Sequence, residues 1–122
     1  MSARDLLDRL CATIDAHAWD RLEPLLHEDF TCRYVHTGET FDRAAWIRLN
    51  AEYPGFDRMV VHDLVSDDHR AVTRCHVTSR REGQVDHFEV ATFVTARDGR
   101  ISEMTEVWAD AGQTAPERAR PS

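Results

Sequence analysis

Lysine is absent from this chain: all fifteen of its Lys-or-Arg residues are arginines. No lysine amine is therefore available for a Schiff base or as a general base. The cations are permanent charges that clamp an anion but do not shuttle protons. Cysteine is scarce as well. Cys11, Cys32 and Cys75 are odd in number, far apart and without a C-x-x-C pair, which sets aside a disulfide framework or a structural zinc site and fits buried thiols in a reducing compartment. No apolar run approaches the roughly 20 residues that span a bilayer. The opening MSARDLLDRL is charged and amphipathic from the start, unlike a secretory signal, so a cytoplasmic location is expected. Positive charge is also in deficit. A net charge of −7, spread along the chain, argues against a nucleic-acid partner and against adsorption to an anionic membrane.

What is present suits one folded domain. The 122 residues are 42% hydrophobic and include three tryptophans, enough for a single core and too few for two. Ser2-Ala-Arg-Asp5 resembles a capping box, and Leu6, Leu7, Leu10, Cys11 and Ile14 follow at helical spacing, predicting a first helix over 3–17. A second, short helix is expected around Trp19, Leu22, Leu25 and Leu26, with Pro24 in or just past its first turn. A third starts at an Asp42 cap, carries Trp46, Leu49 and Tyr53 on one face, and stops at Tyr53-Pro54-Gly55. Phe30–His36 reads as a strand with a short return strand near Glu39–Phe41. Four longer strands are expected at 57–66, 70–80, 85–96 and 100–109, joined by short turns at Asp67-Asp68-His69, Glu82-Gly83 and Arg97-Asp98-Gly99. Short links make these four an antiparallel meander, and helices segregated to one face of such a sheet describe an α+β domain over residues 1–110. The polar, proline-punctuated end over 111–122 is expected to be a disordered tail.

The run Trp19-Asp-Arg-Leu-Glu-Pro-Leu-Leu-His-Glu-Asp-Phe30 resembles the helix-to-strand corner of nuclear-transport-factor-2-like proteins. The ending Asp98-Gly-Arg-Ile-Ser-Glu-Met-Thr-Glu-Val-Trp-Ala-Asp110 is similar to their last strand, particularly in the SnoaL-like polyketide cyclase group. The resemblance covers roughly residues 4–110 and implies a cone-shaped barrel: N-terminal helices on a curved, mixed or antiparallel sheet that encloses a pocket. It also implies acid–base residues inside the pocket and a homodimer through the convex face. One such scaffold hosts isomerases, dehydratases, cyclases, epoxide hydrolases and non-catalytic modules. Aligned on the corner and the final turn, Leu10, Tyr34 and Ala91 occupy the places of the three catalytic groups of ketosteroid isomerases, so that activity is not carried over. Nor do the strands hold the Arg-x-Asp pair of the epoxide hydrolases. For the cyclases, Glu106 matches the place of an acidic base.

Strand parity nominates the pocket wall. A two-residue turn at Glu82-Gly83 pairs Thr78 with His87, His76 with Glu89 and Arg74 with Ala91. A turn centred on Asp98-Gly99 then pairs Ala91 with Glu106 and Phe93 with Met104, continuing one face to Trp108. This face would hold Arg74, His76, His87, Glu89, Phe93, Met104, Glu106 and Trp108, joined by Tyr34 and His36. Cys75, Val77, Phe88, Val90, Val94, Ile101 and Val107 would form the convex face. Trp19 and Trp46 would close the pocket or pack in the core.

In chemical terms, Glu106 would be a desolvated base, His76–Glu89 an acid–base relay, Arg74 an anchor for a carboxylate or enolate, and Tyr34 a donor to a carbonyl. Trp108, Met104, Phe93, His87, His36, Trp46 and Trp19 would contact substrate. These residues point to acid–base chemistry (isomerisation, cyclisation or dehydration) on a small hydrophobic carbonyl compound, with no metal and no organic cofactor. His62, His76 and His87 lie on consecutive strands but lack a close-spaced metal motif. A non-catalytic binding or dimerisation module remains the alternative. A one-residue slip in register would turn the whole set to solvent.

Overall fold

The computed structural model of the chain describes residues 1–120. Helix α1 spans Ala3–Asp15 and starts with the expected capping box. The Asp5 amide donates to the Ser2 hydroxyl at 3.1 Å, and the Ser2 amide to the Asp5 carboxylate at 3.4 Å. Leu6, Leu7, Leu10, Cys11 and Ile14 form its buried stripe. The expected second helix does not form. Trp19–Arg21 and Glu23–Leu25 are two short 3₁₀ turns, and Leu26 already begins a strand. Pro24 is the physical cause, since it removes the amide that would continue a helical ladder.

Six strands follow: β1 (Leu26–Tyr34), β2 (Thr40–Asp42), β3 (Phe56–Ser66), β4 (Arg70–Arg81), β5 (Gln84–Arg97) and β6 (Arg100–Asp110). Between β2 and β3 lies α2 (Arg43–Ala51), where the Ala45 amide donates to the Asp42 cap at 2.8 Å. The sheet order is β2-β1-β6-β5-β4-β3. β3 to β6 form the expected meander, and β1 joins it parallel to β6, which makes the sheet mixed. Helix α1 packs against β3, β4, β5 and β6, and α2 against β1 and β2. The C-terminal end of α1 is tied to β3 through Asp15, whose carboxylate accepts from the Arg58 guanidinium at 2.8 and 3.2 Å and from the Met59 amide at 2.9 Å. The Arg58 bonds, ahead of the Met59 amide, hold its pKa below the usual aspartate value. The architecture is thus helices on a six-stranded mixed sheet, α+β as expected. The sheet does not close into a barrel: three-residue β2 pairs only with β1, and among the described residues no ladder joins it to β3.

One local feature changes the faces. Glu82-Gly83 (φ 49° and 80°) and Asp98-Gly99 (φ 54° and 74°) both adopt left-handed two-residue turns, whose twist suits a hairpin. Across the first, Thr78 faces His87, His76 faces Glu89 and Arg74 faces Ala91, as the sequence predicts. Across the second, Ala96 faces Ile101 but Thr95 faces Glu103, leaving Ser102 as an extra residue. Its hydroxyl donates to the Thr95 carbonyl at 3.2 Å. Beyond this bulge Glu106 pairs with Thr92 rather than Ala91, and Met104 with Val94 rather than Phe93.

Met104, Glu106 and Trp108 therefore share the inner face with Phe88, Val90, Thr92 and Val94. Arg74, His76, His87, Glu89 and Phe93, expected beside them, stand on the outer face. Of the set assigned to the outer face, Cys75, Val77, Val90, Val94 and Ile101 are instead buried core and Phe88 packs against it. Val107 is outward as expected, and largely exposed. Burying the apolar residues of β4 and β5 against α1 decides the orientation.

Gly55, after α2, has φ 74°, accepts a bond from the Arg80 amide at 2.7 Å, and leaves no room for a Cβ beside the Arg80 carbonyl oxygen. Gly83 has a similar φ in open space. Gly55→Ala is expected to cost about 2–4 kcal/mol, against about 1–2 for Gly83→Ala, by urea denaturation. Equal losses would mean that the contact with β4 carries no weight.

Candidate active site

Glu106 sits on the inner face of β6 and is 4% exposed. The Thr92 hydroxyl donates to its Oε2 at 2.9 Å and the Trp46 indole N–H to its Oε1 at 3.3 Å, while the Cys32 thiol lies 3.9 Å from Oε1. These donors are all neutral. Burial pushes the carboxyl above the ordinary glutamate value, and the bonds from Thr92 and Trp46 oppose the shift by favouring the charged form. Tyr34 is directly across the parallel ladder from Glu106. Its phenol is pushed up, first by burial and then by the neighbouring carboxyl. The Trp108 indole N–H is buried with no hydrogen-bond partner of its own, a donor held in reserve beside the carboxyl.

Next to this group lies a cavity of about 410 Å³ between the helices and the inner sheet face. Phe56 and Met59 of β3, Val77 of β4 and Phe88 of β5 make its apolar wall, and Ile14 and Leu49 contribute from the helices. Tyr34 and Trp108 form the side that adjoins Glu106, which is not itself part of the lining. Polar groups come from His36, Asn50, Tyr53, Asp110 and Gln113. A mostly apolar cavity with a few convergent polar groups beside a perturbed carboxyl is the usual form of a small-molecule site.

The residues nominated from sequence divide into two groups. Glu106, Tyr34, Trp108 and His36 come together, with the His36 ring stacked on Tyr34 at 5.1 Å. Trp46 is buried and serves Glu106 as a donor, and Met104 is core. Trp19 does not line the cavity; it packs on Phe56 and His17, at ring separations of 5.7 and 5.5 Å. Arg74, His76, His87, Glu89 and Phe93 are on the far side of the sheet, because the Ser102 bulge reverses their face relative to β6. There His76 Nδ1 lies 3.0 Å from Glu89 Oε2 and its Nε2 2.9 Å from His87 Nδ1, while Arg74 is 3.6 Å from Glu89. Among the described residues no group of three His, Cys, Asp or Glu is gathered to hold a metal ion.

Thr92, Phe56, Met59, Asp110 and Gln113 escaped the sequence reading. Thr92 was hidden by the bulge, which makes it, and not Ala91, the inward residue beside Glu106. Leu49 and Tyr53 belong to one face of the expected third helix, but α2 stops at Ala51 and Tyr53 lies in the loop that follows. Gln113 belongs to the segment expected to be a tail. Residues 111–120 are exposed with a 3₁₀ turn at Glu117–Ala119, and Pro121 and Ser122 lie outside the described residues.

The SnoaL-like domain model matches residues 7–104. No curated protein matches the sequence. Among solved structures, a candidate ketosteroid isomerase from Kribbella flavida is 28% identical at a TM-score of 0.82, covering 96% of this chain and 84% of that one. An NTF-2-like protein of unknown function from Burkholderia xenovorans is 19% identical, at a TM-score of 0.76 and coverages of 95% and 88%. IdmH, a candidate polyketide cyclase from Streptomyces antibioticus, is 18% identical, at 0.71 and coverages of 85% and 89%. The fold is therefore the nuclear-transport-factor-2-like one.

A carboxyl whose pKa rises on folding keeps its proton in the folded chain over a pH window where the unfolded chain has lost it. Stability then falls as pH rises from the ordinary value of 4.5 through the folded value. Glu106→Gln removes that loss while keeping an oxygen for Thr92 or Trp46. Its stability relative to the parent is expected to grow as pH rises across this window, measured by urea denaturation at several pH values. A relative gain for the parent instead would show the carboxylate to be favourably held.

Proposed function

Because this chain belongs to the SnoaL-like domain family, we propose that it is a cofactor-independent enzyme performing acid–base chemistry on a small hydrophobic carbonyl compound. The carrying observation is the buried Glu106 carboxyl, surrounded by neutral donors and set directly behind Tyr34 and Trp108 of an apolar cavity. A carbonyl oxygen at that wall would accept from the Tyr34 phenol and from the unpartnered Trp108 N–H. Glu106, in its ionised form, would take the proton from the adjacent carbon, leaving the charge on the donor-held oxygen. Returning the proton to another carbon isomerises the compound. Expelling a β-hydroxyl as water dehydrates it, and attack of the enolate carbon on a second carbonyl closes a ring. Arg74 and the His76–Glu89 pair have no part in this scheme, being on the outer face.

The enclosure of Glu106 favours a second reading. With both oxygens engaged and Tyr34 and Trp108 in front of it, the carboxyl would only position these side chains in a non-catalytic binding module. Exchange of the α-hydrogens of 2-tetralone in deuterated water, followed by NMR, separates the two. For the enzyme, exchange accelerates, Glu106→Gln lowers the rate on the order of a hundredfold with ligand affinity kept, and His76→Ala changes nothing. If binding occurs and exchange stays at the buffer rate over a panel of small ketones, the binding module is correct.

We also place the protein in the cytoplasm as a homodimer. The Cys11 and Cys75 sulfurs, 4.0 Å apart and unbridged, suit a reducing compartment. No helix among the described residues is long and apolar enough to cross a membrane. On the outer sheet face Val60, Phe93 and Val107 are 42%, 39% and 41% exposed, apolar area that a second copy would cover. Phe93→Asp is expected to shift a dimer to monomer in light scattering. A parent that stays monomeric at high concentration rejects the dimer.

A further inference from the structure

We propose that the ligand of the cavity carries a cationic amine group, held against aromatic rings and drawn by Asp110. The inference rests on the cavity being the small-molecule site, and it does not depend on Glu106 acting as a base.

The lining has the chemistry of a cation receptor. Tyr34, Tyr53, Phe56, Phe88 and Trp108 bring five aromatic rings to one cavity from β1, the loop after α2, β3, β5 and β6. A ring face attracts a cation through its quadrupole, most strongly for tryptophan and tyrosine and more so where water is excluded. Not one of the fifteen arginines lines the cavity, and among the described residues Asp110 is the only carboxylate that does. Asp110 pairs with Phe88 on the ladder and follows Trp108 on the same face of β6, so it is placed at the exposed end of the aromatic wall.

The amide groups add acceptors. The Asn50 side-chain nitrogen donates to the Trp46 carbonyl at 2.8 Å, which leaves its oxygen for a ligand N–H. Gln113 supplies a second amide. A net charge of −7 would also draw a cation toward the protein and repel an anion. His36, stacked on Tyr34, is the one imidazole among the described lining residues. An anionic substrate such as a carboxylate, a phosphate ester or a thioester of a phosphorylated carrier would meet no arginine and would face Asp110. A cationic group in the cavity would, in addition, favour the ionised form of the nearby Glu106 carboxyl, so binding such a ligand would help to prepare the base.

The test compares benzyltrimethylammonium with neopentylbenzene, its neutral carbon isostere, titrated into the full chain at low salt. Binding is followed by the Trp108 indole N–H resonance, assigned with Trp108→Phe. The cation is expected to bind on the order of tenfold tighter than the isostere. Asp110→Asn should reduce that preference severalfold and leave the affinity for the isostere unchanged; because Asp110 is exposed, the variant should fold. If the isostere binds as tightly as the cation, or if Asp110→Asn leaves the preference intact, the cation assignment is overturned while the cavity stands. If neither compound moves the Trp108 resonance, the cavity itself is not the ligand site and the proposal falls with it.

Discussion

Ser102 has no partner of its own on β5, and its hydroxyl bond to the Thr95 carbonyl holds the extra residue inside the strand. Without it, β6 would continue in the register of the Asp98-Gly99 turn and Glu106 would face outward with Ala91. With it, Ile101 before the bulge and Met104, Glu106 and Trp108 after it all reach the inner side. Side chains alternate along a strand with a period of two, so one inserted residue carries everything beyond it to the opposite face. The candidate site and the composition of the core both depend on this insertion.

Its main consequence is a carboxyl in the interior. Moving an ionised carboxylate away from water costs several kcal/mol even after the protein relaxes. A hydrogen bond to a charged group offsets about 1.5–3 kcal/mol, so Thr92 and Trp46 recover much of the cost without an arginine. An arginine partner would have made a stable salt bridge and a weak base. Neutral donors offset only part of the burial cost, and the carboxyl stays above the ordinary glutamate value. By accepting from both, Glu106 holds Trp46 and Thr92 in place, joining α2 to β5 and β6 through one side chain.

The two sides of the sheet divide the polar groups by purpose. On the outer side, Arg74, His76, His87 and Glu89 satisfy one another across β4 and β5, and the long arms of such residues can remain in water. On the inner side, where α1 and α2 exclude water, polar groups are few, and the Thr73 hydroxyl and the Trp108 N–H are buried there without a hydrogen-bond partner. The open edge between β2 and β3 and the gap between the helices leave room for the cavity, whose aromatic wall comes from four strands and the α2–β3 loop. Its lining is a tertiary property, since no two of Tyr34, Tyr53, Phe56, Phe88 and Trp108 lie on the same strand.

Local chemistry in the sequence determined the elements. The Ser2–Asp5 box, the Asp42 cap, the Glu82-Gly83 and Asp98-Gly99 turns and the β4–β5 register are all set by residues within a few positions of one another, and the structure has them where the sequence places them. The differences are that Pro24 replaces the second helix by two 3₁₀ turns, α2 stops at Ala51 short of Tyr53, and β1 starts at Leu26 rather than Phe30. Glu106, Trp108 and Tyr34 were legible as one wall through strand parity within β6 and through the family resemblance, and the same parity wrongly added Arg74, His76, His87, Glu89 and Phe93. The tertiary structure alone decided the company they keep. The Ser102 bulge has no mark in the sequence, since serine is common on strand surfaces and its bond to Thr95 exists only once β5 and β6 are paired. Burial of Cys75, Val77, Val90 and Val94 against α1 then settled which face is inward, because covering that apolar area outweighs any preference of the polar residues on the other side.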